Sequence, residues 1–246
     1  MTRQRIIIIG ASSAIAEHCA RLWAQQPADF VLVGRDRKRV ERVAADLQIR
    51  SPQSSAQSVV IDFNDAAAIA ALAAQTATDG KIDIVLIAHG NLPVQADCEQ
   101  DLSKSQQALE INGVSPVLFA EAFAAQLQKA GRGTLAIIGS VAGDRGRKTN
   151  YVYGAAKGLI ERYAQGLQHR FAGTPVKIVL IKPGPTATPM TAHLPPRGLA
   201  LPKAVARVIV AAIAKGSPVV YAPVRWALIM MVIRHLPRFV FNRLNI

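Results

Sequence analysis

Tyr153 and Lys157 stand four residues apart in a segment of helical character, residues 151–171, and this spacing predicts that both side chains lie on one helix face. A tyrosine hydroxyl ordinarily titrates at about pH 10. A lysine cation alongside favours the phenolate, bringing the hydroxyl toward a pKa at which it donates and accepts protons near neutrality. Tyr151 has no lysine four residues later and is expected to pack or to line a pocket. An exposed helix pair can show the same spacing by chance, so the surrounding sequence decides.

Two further polar residues precede this pair. Ser140 directly follows an apolar run, thirteen residues before Tyr153, and from the end of a strand it could donate a hydrogen bond to a substrate carbonyl oxygen. Asn112 is a polar residue on an otherwise packable helix. Together with Tyr153 and Lys157, these residues predict proton transfer at a carbonyl group.

A glycine-containing turn follows the first apolar run. Gly10 opens the segment that leads into a helical pattern, and backbone N–H groups and the positive end of a helix dipole can hold a pyrophosphate at such a turn. An ordinary strand-to-helix turn would have the same sequence. The residues predicted to contact a dinucleotide here are Gly10, Ser12, Ser13, Ala14 and Ile15.

The end of the second apolar run indicates which dinucleotide is bound. Sites selective for NAD place an acidic residue there to hold the ribose hydroxyls, whereas this chain has Gly34 followed by Arg35. Arg35 could pair with a 2′-phosphate, so the sequence favours NADP(H). The alternative is a solvated basic helix start, which suits the neighbouring 37–39 better than Arg35.

Short apolar runs alternate with helical patterns along the chain. The runs are rich in Val and Ile, as strands covered on both faces should be. The alternation predicts an α/β fold, a Rossmann-like doubly wound seven-stranded parallel sheet with helices on both faces, in one domain over residues 1–246. The predicted strands are 6–10, 30–34, 58–62, 83–88, 134–139, 176–181 and 218–222, and the predicted helices are 13–25, 37–48, 66–77, 103–129, 151–171 and 202–214.

The net charge of +13 lies almost entirely at one end of the chain. Through Glu161 the balance is +1, and the last 85 residues carry 12 Lys and Arg and no acidic residue. This asymmetry suggests an anionic partner for the C-terminal third. Cys19 is expected to be buried and Cys98 to be an exposed thiol, and two cysteines make no disulfide framework, so a reducing cytoplasmic setting is expected.

Two segments interrupt the alternation. Residues 182–200 contain five prolines and follow the sixth strand, where an open α/β sheet has its ligand crevice. The basic, apolar C-terminal tail, 223–246, contains an apolar run of eight residues, Trp226–Ile233, and no segment of the chain approaches the roughly 20 apolar residues that cross a bilayer. The tail suits a peripheral membrane contact, or it is a buried or dimer-forming helix with Met230 and Met231 as core residues.

The order of these motifs resembles the short-chain dehydrogenase/reductase family over nearly the whole chain. The resemblance rests on Gly10, Asp62, the stretch 88–90, Asn112, Ser140, Tyr153, Lys157 and Pro183–Gly184. It implies that Tyr153 is the proton donor, that Ser140 positions the carbonyl oxygen, that Lys157 holds the nicotinamide ribose, and that Asn112 anchors a water relay. It also implies a homodimer or homotetramer. The further predicted cofactor contacts are Asp62, Phe63, Ala88, Gly90, Tyr153, Lys157, Pro183, Gly184, Thr186 and Thr188.

The chain departs from the family pattern at a few positions. Ala14 and Ala16 stand where the family usually has glycine, and their methyl groups slightly narrow the approach of the cofactor to the turn. His89 is expected to line the cofactor pocket rather than to act as a catalytic base. No cluster has metal-ligand spacing, a hydrolase motif around Ser140 is missing, and no nucleic-acid-binding module is recognised.

The tail and the stretches 150–154 and 190–194 are similar to one branch of the family, the decaprenylphosphoryl-2-keto-β-D-erythro-pentose reductases of mycobacterial arabinan synthesis. This resemblance implies an NADPH-dependent ketoreductase acting on a keto-sugar carried on a polyprenyl phosphate, at the inner face of the membrane. The alternatives are a reductase of a small ketone, sterol or acyl-carrier substrate, and a non-catalytic protein that senses a dinucleotide or acts as a scaffold.

Overall fold

The computed structural model describes residues 3–193, 195 and 198–244. Its strands are β1 (Gln4–Ile9), β2 (Ala28–Gly34), β3 (Ser55–Val60), β4 (Ile84–Ile87), β5 (Gly133–Ile138), β6 (Val176–Pro183) and β7 (Val219–Ala222). They form one parallel sheet in the order β3-β2-β1-β4-β5-β6-β7. The expected Rossmann-like doubly wound sheet of seven strands is confirmed.

Ten α-helices accompany the sheet in the described part of the chain. They are α1 (Ala14–Trp23), α2 (Arg37–Arg50), α3 (Ala66–Thr78), α4 (Gln95–Gln100), α5 (Leu102–Leu109), α6 (Ser115–Ala130), α7 (Tyr151–Arg170), α8 (Pro202–Lys215), α9 (Arg225–His235) and α10 (Arg238–Phe241). Most predicted boundaries differ from these by a few residues, and the largest strand difference is at β3, which begins three residues before the predicted 58–62.

The isoleucine run of β1 shows how the two faces of the sheet are covered. Ile6 and Ile8 pack with α1, α2 and α8 on one face. Ile7 and Ile9 pack with α3, α6 and α7 on the other. Successive side chains of a strand point to opposite faces, so a strand buried on both sides must be apolar at every position. β1 pairs with β2 on one side and β4 on the other, and the crevice of such a sheet opens at the carboxyl ends of these strands.

The helix predicted over 103–129 is present and contains a π-helical turn. α5 and α6 are joined by one π-helical turn, Glu110–Val114, and α4, which was not predicted, precedes them. Cys98 on α4 is buried against Ala108 and Val152, so the expectation of an exposed thiol is wrong. Most of the polar residues around it in the sequence are exposed, but Gln95, one turn earlier on the same short helix, is buried with it.

The continuous helical segment Leu102–Ala130 is long and apolar enough, by length and composition, to cross a membrane, which corrects the expectation that no segment approaches this. Half of its most apolar window is buried within the fold. Phe119, Phe123 and Leu127 are fully buried in the core on the α3–α6–α7 face. Packing against the sheet therefore accounts for its apolar composition.

The segments outside the alternation are also folded. The tail forms α9 and α10. Its described residues end at 244, and residues 245 and 246 lie outside the described part. Met230 is buried at 4% exposure, whereas Met231 is 55% exposed, so one methionine fits the core interpretation and the other does not. In the proline-rich loop, Thr186 forms a β-bridge with Ala200, and residues 194, 196 and 197 lie outside the described residues.

Candidate active site

Helix α7 brings Tyr153 and Lys157 together, as their spacing predicts. Lys157 is 3% exposed, and its Nζ lies 5.7 Å from the centroid of the Tyr153 ring. The ammonium donates a hydrogen bond to the carbonyl oxygen of Ile138 at the end of β5, at 3.2 Å. Burial lowers the pKa of Lys157 to about 8, so this lysine is poised to exchange a proton at a pH near neutrality.

Ser140 meets Tyr153 from the end of β5. Its backbone is extended, and its Oγ accepts a hydrogen bond from the Ala142 N–H at 3.1 Å. Burial raises the pKa of Tyr153, and a side-chain hydrogen bond with Ser140 opposes that rise. The expectation that Lys157 lowers the pKa of Tyr153 is therefore not met by these residues, because the desolvation of the phenol outweighs the stabilisation of its phenolate.

Glycines allow the segment after Ser140 to lie directly on α7. A Cβ added to Gly143 would be 2.8 Å from the carbonyl carbon of Lys157. A Cβ added to Gly154 would be 2.9 Å from the carbonyl oxygen of Ala142. Any larger residue at either position would push the two segments apart, so Gly154, the residue after Tyr153, is needed for the distance between Ser140 and Tyr153.

Asn112 lies in the π-helical turn between α5 and α6 and is fully buried. Its Oδ1 accepts from the Asn91 N–H at 2.8 Å, and its Nδ2 donates to the Asn91 side chain at 2.6 Å and to the Ala108 carbonyl at 2.9 Å. A Cβ on Gly90 would be 2.8 Å from Asn112 Oδ1 and 3.6 Å from Lys157 Nζ. The structure thus brings Gly90, Asn112 and Lys157 together.

The turn after β1 has the backbone conformation expected of an anion-binding turn. Gly10 has φ +79°, in the left-handed region that favours glycine, and a Cβ there would be 2.7 Å from the His89 backbone nitrogen. Ser13 is the N-cap of α1, and its side chain makes no capping hydrogen bond. Ser12, Ser13, Ala14 and Ile15 are all partly exposed at this helix N-terminus.

On the other side of this turn, Gly34 ends β2 and Arg35 follows it. A Cβ on Gly34 would be 2.3 Å from the Val40 side chain, so an acidic residue could not stand there without displacing that buried side chain. The Arg35 guanidinium is exposed and lies 5.8 Å from the ring centroid of Phe63. Asp62 is exposed, and its Oδ1 accepts from the Asn64 N–H, whereas the Phe63 side chain is buried in the core.

The contacts of His89 show which of its ring nitrogens carries the proton. Ser115 donates its only hydroxyl hydrogen to the Phe63 carbonyl oxygen, at 2.7 Å, so His89 Nε2, at 2.9 Å, must be the donor to Ser115. Nδ1 is then an acceptor, and it is buried with no partner among the described residues. Burial, followed by the charges of Lys157 and Arg35, lowers the pKa of His89 to about 3. A neutral imidazole of this basicity is consistent with pocket lining and not with a general base.

The end of β6 and the segment after it present Pro183, Gly184, Thr186 and Thr188 at the same edge of the sheet. Thr186 is buried and donates to the Gly184 carbonyl at 2.9 Å. Thr191, which the sequence did not single out, donates to the Thr186 carbonyl at 2.6 Å and accepts from the Thr188 N–H at 3.1 Å. The Thr186 hydroxyl is thus hydrogen-bonded within the loop, and these bonds hold the loop beside β6.

A buried ion cluster adjoins the site and was not predicted. Lys182 is 2% exposed and contacts Asp144 and Glu161, the latter at 2.8 Å. Tyr221 donates to Asp144 Oδ2 at 2.8 Å, while Oδ1 meets the ammonium as an ion contact without hydrogen-bond geometry. Burial acts to lower the pKa of Lys182, but the two carboxylates raise it overall. The one signal in the sequence was a lysine at the end of an apolar strand.

The structure thus gathers the predicted residues along one edge of the sheet. Asn112, Ser140, Tyr153 and Lys157 form one corner, and Gly10, Arg35 and Gly90 lie at the ends of the strands that lead to it. Within residues 3–193, 195 and 198–244, no group of three His, Cys, Asp or Glu side chains could hold a metal ion. The arrangement offers a phenol, an ammonium and a hydroxyl, which together can donate hydrogen bonds to a carbonyl oxygen and deliver a proton to it.

Known proteins are similar to this chain in sequence and in fold. A family profile described as short chain dehydrogenase matches residues 4–197. An uncharacterized oxidoreductase of Mycobacterium tuberculosis is 34% identical over 243 residues, which cover 97% of this chain and 96% of the relative. An uncharacterized oxidoreductase of Streptomyces coelicolor is 30% identical over 240 residues, covering 97% and 95%.

Solved structures agree in fold. A short chain dehydrogenase from Burkholderia cenocepacia, in complex with NADP, superposes with a TM-score of 0.84 at 18% identity, covering 99% of this chain and 98% of that one. A short-chain dehydrogenase from Sphingobium yanoikuyae, in complex with NADPH, has a TM-score of 0.82 at 22% identity, covering 96% and 97%. The extent of the family match and the identity to the two relatives show that this chain belongs to the short-chain dehydrogenase family of oxidoreductases.

Proposed function

We propose that the protein is an NADPH-dependent ketoreductase whose catalytic residues are Asn112, Ser140, Tyr153 and Lys157. The observation that carries this proposal is the corner formed by the last three, in which a half-buried phenol and a buried ammonium lie on one helix face beside a hydroxyl at the end of β5. A buried lysine without a carboxylate contact among the described residues is costly for stability. A role in chemistry accounts for that cost.

Each residue has a distinct part in the proposed reaction. The Ser140 hydroxyl donates a hydrogen bond to the substrate carbonyl oxygen, and Tyr153 delivers the proton to the same oxygen. Lys157, whose pKa burial lowers to about 8, gives up and regains a proton close to the working pH and stabilises the phenolate that Tyr153 leaves. Asn112 holds the Gly90–Asn91 backbone over this corner through its bond to the Asn91 N–H.

The residues along the strand ends fit a nicotinamide dinucleotide, which supplies the hydride when bound. The left-handed Gly10 and the N-terminus of α1 would hold the pyrophosphate. The buried acceptor Nδ1 of His89, which has no partner among the described residues, suits a ribose hydroxyl. Pro183, Gly184, Thr186 and Thr188 would line the nicotinamide end, and Asp62 and the Phe63 backbone the adenine end.

We infer a preference for NADP(H) over NAD(H) from the end of β2. Gly34 has no room for an acidic side chain, and the exposed Arg35 guanidinium carries a positive charge to the place where a 2′-phosphate would lie. The fold relatives from B. cenocepacia and S. yanoikuyae, which were solved with NADP and NADPH, support the same choice.

For the substrate, we propose a keto group on a polyprenyl-phosphate-linked sugar or a similar amphipathic carbonyl. The acid-free last 85 residues, with 12 Lys and Arg, favour an anionic substrate. The tail that ends the chain supplies apolar surface beside them. A reductase of a small ketone, a sterol or an acyl-carrier substrate shares the catalytic corner and differs from this proposal in the substrate alone.

The outer face of α9 and α10 supports a peripheral membrane contact, at the inner face of the membrane. Leu228 and Phe239 are 64% and 68% exposed, and exposed arginines flank them. Apolar side chains bracketed by arginines match the interface of an anionic bilayer. We expect co-sedimentation with vesicles of phosphatidylcholine and phosphatidylglycerol, and less of it for Phe239→Glu. Equal recovery in the supernatant with and without vesicles would contradict this contact.

The proposed function is tested by following NADPH consumption at 340 nm, the cofactor's absorbance band, against a panel of carbonyl compounds. The panel holds a keto-pentose on a polyprenyl phosphate, the same sugar without lipid, a sterol ketone, and a keto-acyl thioester. We expect the lipid-linked sugar to have the highest kcat/KM. If another member is preferred, the substrate class is wrong. If none consumes NADPH although NADPH binds, the protein is a dinucleotide sensor or scaffold and the proposal fails.

A further inference from the structure

Arg145 links the catalytic loop to the C-terminal tail. It lies five residues after Ser140, and its Nη1 donates to the carbonyl oxygens of Ile233 and Leu236, at 2.6 and 2.7 Å. Its guanidinium carbon lies 3.8 Å from the centroid of the Phe241 ring. One side chain from the loop between Ser140 and Tyr153 therefore contacts the end of α9, the residue after it, and α10.

These contacts fall where α9 most needs a partner. The last carbonyl groups of a helix have no hydrogen-bond donor within the helix, and they carry the negative end of its dipole. A guanidinium satisfies two of them here with one charge, and its flat face stacks on Phe241, a favourable cation–π arrangement. Arg145 is thus the C-terminal cap of α9, supplied from 88 residues earlier in the chain.

The other end of the tail lies on the segment that ends β6. Trp226 at the start of α9 is seated on Gly184, where an added Cβ would be 2.0 Å from the indole Nε1. Tyr221, just before the tail, bonds Asp144, the neighbour of Arg145. The tail therefore runs from the Pro183–Gly184 segment to the loop after Ser140, and both of these adjoin the proposed catalytic corner.

We propose that the tail of the same chain forms one wall of the substrate site, and that Arg145 is the positioning residue that holds this wall. The inference rests on the proposed function and names the part of the substrate concerned, the apolar chain beyond the keto-sugar. The partly buried Ile233, Leu236 and Phe241 would contact this chain. In this proposal Arg145 acts through the tail, to which its Nη1 donates two hydrogen bonds.

The same loop provides a matched control. Lys148 is also basic and lies on the same connection between Ser140 and Tyr153, but it is exposed and makes no side-chain hydrogen bond or salt bridge among the described residues. Replacing Lys148 removes one positive charge from the loop without releasing the tail. A difference between the Arg145 and Lys148 variants therefore reports the contact with the tail and not the loop's charge.

The test uses the full chain with Arg145→Ala, Arg145→Lys and Lys148→Ala. The substrates are a keto-pentose phosphoryl ester with a decyl chain and the same ester with an ethyl chain. For Arg145→Ala we expect faster amide hydrogen exchange over 231–241, a roughly tenfold higher KM for the decyl ester, and a kcat and NADPH Kd within about twofold of the native values, since about 1.4 kcal/mol of lost binding is tenfold. Arg145→Lys should recover part of the KM, and Lys148→Ala should match the native chain.

Three results would overturn the inference while leaving the proposed function intact. In one, exchange over 231–241 rises in Arg145→Ala but KM for the decyl ester does not. In another, KM rises equally for the decyl and ethyl esters. Unchanged exchange over 231–241 would also overturn it, since Arg145 would then not hold the tail. A native chain that consumes no NADPH with either ester counts against the proposed function and its substrate instead.

Discussion

Two lysines of this protein are buried to nearly the same degree and have opposite surroundings. Lys157, in the catalytic corner, is 3% exposed, and Lys182, in the neighbouring ion cluster, is 2% exposed. Lys182 contacts the carboxylates of Asp144 and Glu161, which raise its pKa against the effect of burial. Lys157 has no carboxylate contact among the described residues, and burial lowers its pKa to about 8.

The difference separates what the fold needs from what the chemistry needs. A buried ammonium with two carboxylates stays charged and joins β6, the loop after Ser140 and α7. A buried ammonium without them is held at a cost to stability, since burying an unpaired charge is unfavourable, and its proton is easily exchanged. We propose that the second arrangement serves the reaction and that the first holds the loop that carries Ser140 in place.

The largest expected effect is on turnover in the catalytic corner. Tyr153→Phe removes the proposed proton donor and keeps the ring, so we expect kcat to fall by about 1000-fold, within the range for loss of a general acid. The Kd for NADPH, measured by fluorescence, should stay within about twofold. Undiminished turnover would remove Tyr153 from the mechanism. Tyr163→Phe, on the same helix and bonded to Glu121, is the control and should keep kcat.

Disrupting the ion cluster should lower the stability of the fold. Lys182→Met leaves Asp144 and Glu161 without their cation, so the free energy of unfolding should fall by about 3–5 kcal/mol, measured by urea denaturation. Lys177→Met, on the exposed side of the same strand, should change it by no more than about 0.5 kcal/mol. Equal losses for the two variants would mean that the cluster contributes nothing beyond the strand itself.

Lys157→Met should have the reverse effect on stability and should abolish turnover. The shift of its pKa from 10.5 to about 8 corresponds to a destabilisation of roughly 3 kcal/mol while the lysine is charged. The unfolding temperature of the variant should therefore equal or exceed that of the native chain. A clear loss of stability, like that of Lys182→Met, would erase the distinction between the two lysines.

The same shift predicts a pH dependence. The folded chain loses the Lys157 proton near pH 8 and the unfolded chain near pH 10.5, so between these values the unfolded state binds more protons and the free energy of unfolding rises with pH. The raised pKa of Tyr153 acts in the opposite direction above about pH 10. Urea midpoints from pH 8 to pH 10 should rise more for the native chain than for Lys157→Met, and parallel curves would contradict the assignment.

The smallest expected effect concerns the cofactor. Arg35→Ala should weaken NADPH binding by about 10- to 100-fold, the equivalent of one charge-assisted hydrogen bond of about 1.5–3 kcal/mol, and leave NADH binding unchanged. Arg37→Ala is the control, since Arg37 pairs with Glu41 on α2. Equal losses for both dinucleotides would show that Arg35 does not read the 2′-phosphate.

Much of the fold and of the candidate site could be predicted from the sequence where the signal is local. The isoleucine run of β1 is apolar at each position because both faces are covered, and the four-residue spacing of Tyr153 and Lys157 fixes their common helix face. Gly34 followed by Arg35 is likewise a short-range pattern. These features depend on periodicity within one strand, helix or turn, which a single sequence displays directly.

The remainder depends on contacts between distant segments. Asp144, Glu161 and Lys182 come from three elements, and no spacing links them until the sheet order is known. The π-helical turn at Asn112 differs from an α-helix by one hydrogen-bond step, which the amphipathic pattern does not reveal. Arg145 looked like one more basic loop residue, because its partners are backbone carbonyls of the tail.

The central claim is that this corner reduces a carbonyl group with a nicotinamide cofactor, and isotope transfer tests it most directly. The native chain is incubated with NADPH deuterated at the hydride-donating position and with the lipid-linked keto-pentose. The mass of the product alcohol is then measured by mass spectrometry. We expect one deuterium on the former carbonyl carbon, and loss of this product in Tyr153→Phe. An unlabelled product, or a labelled product formed equally by Tyr153→Phe, would contradict it.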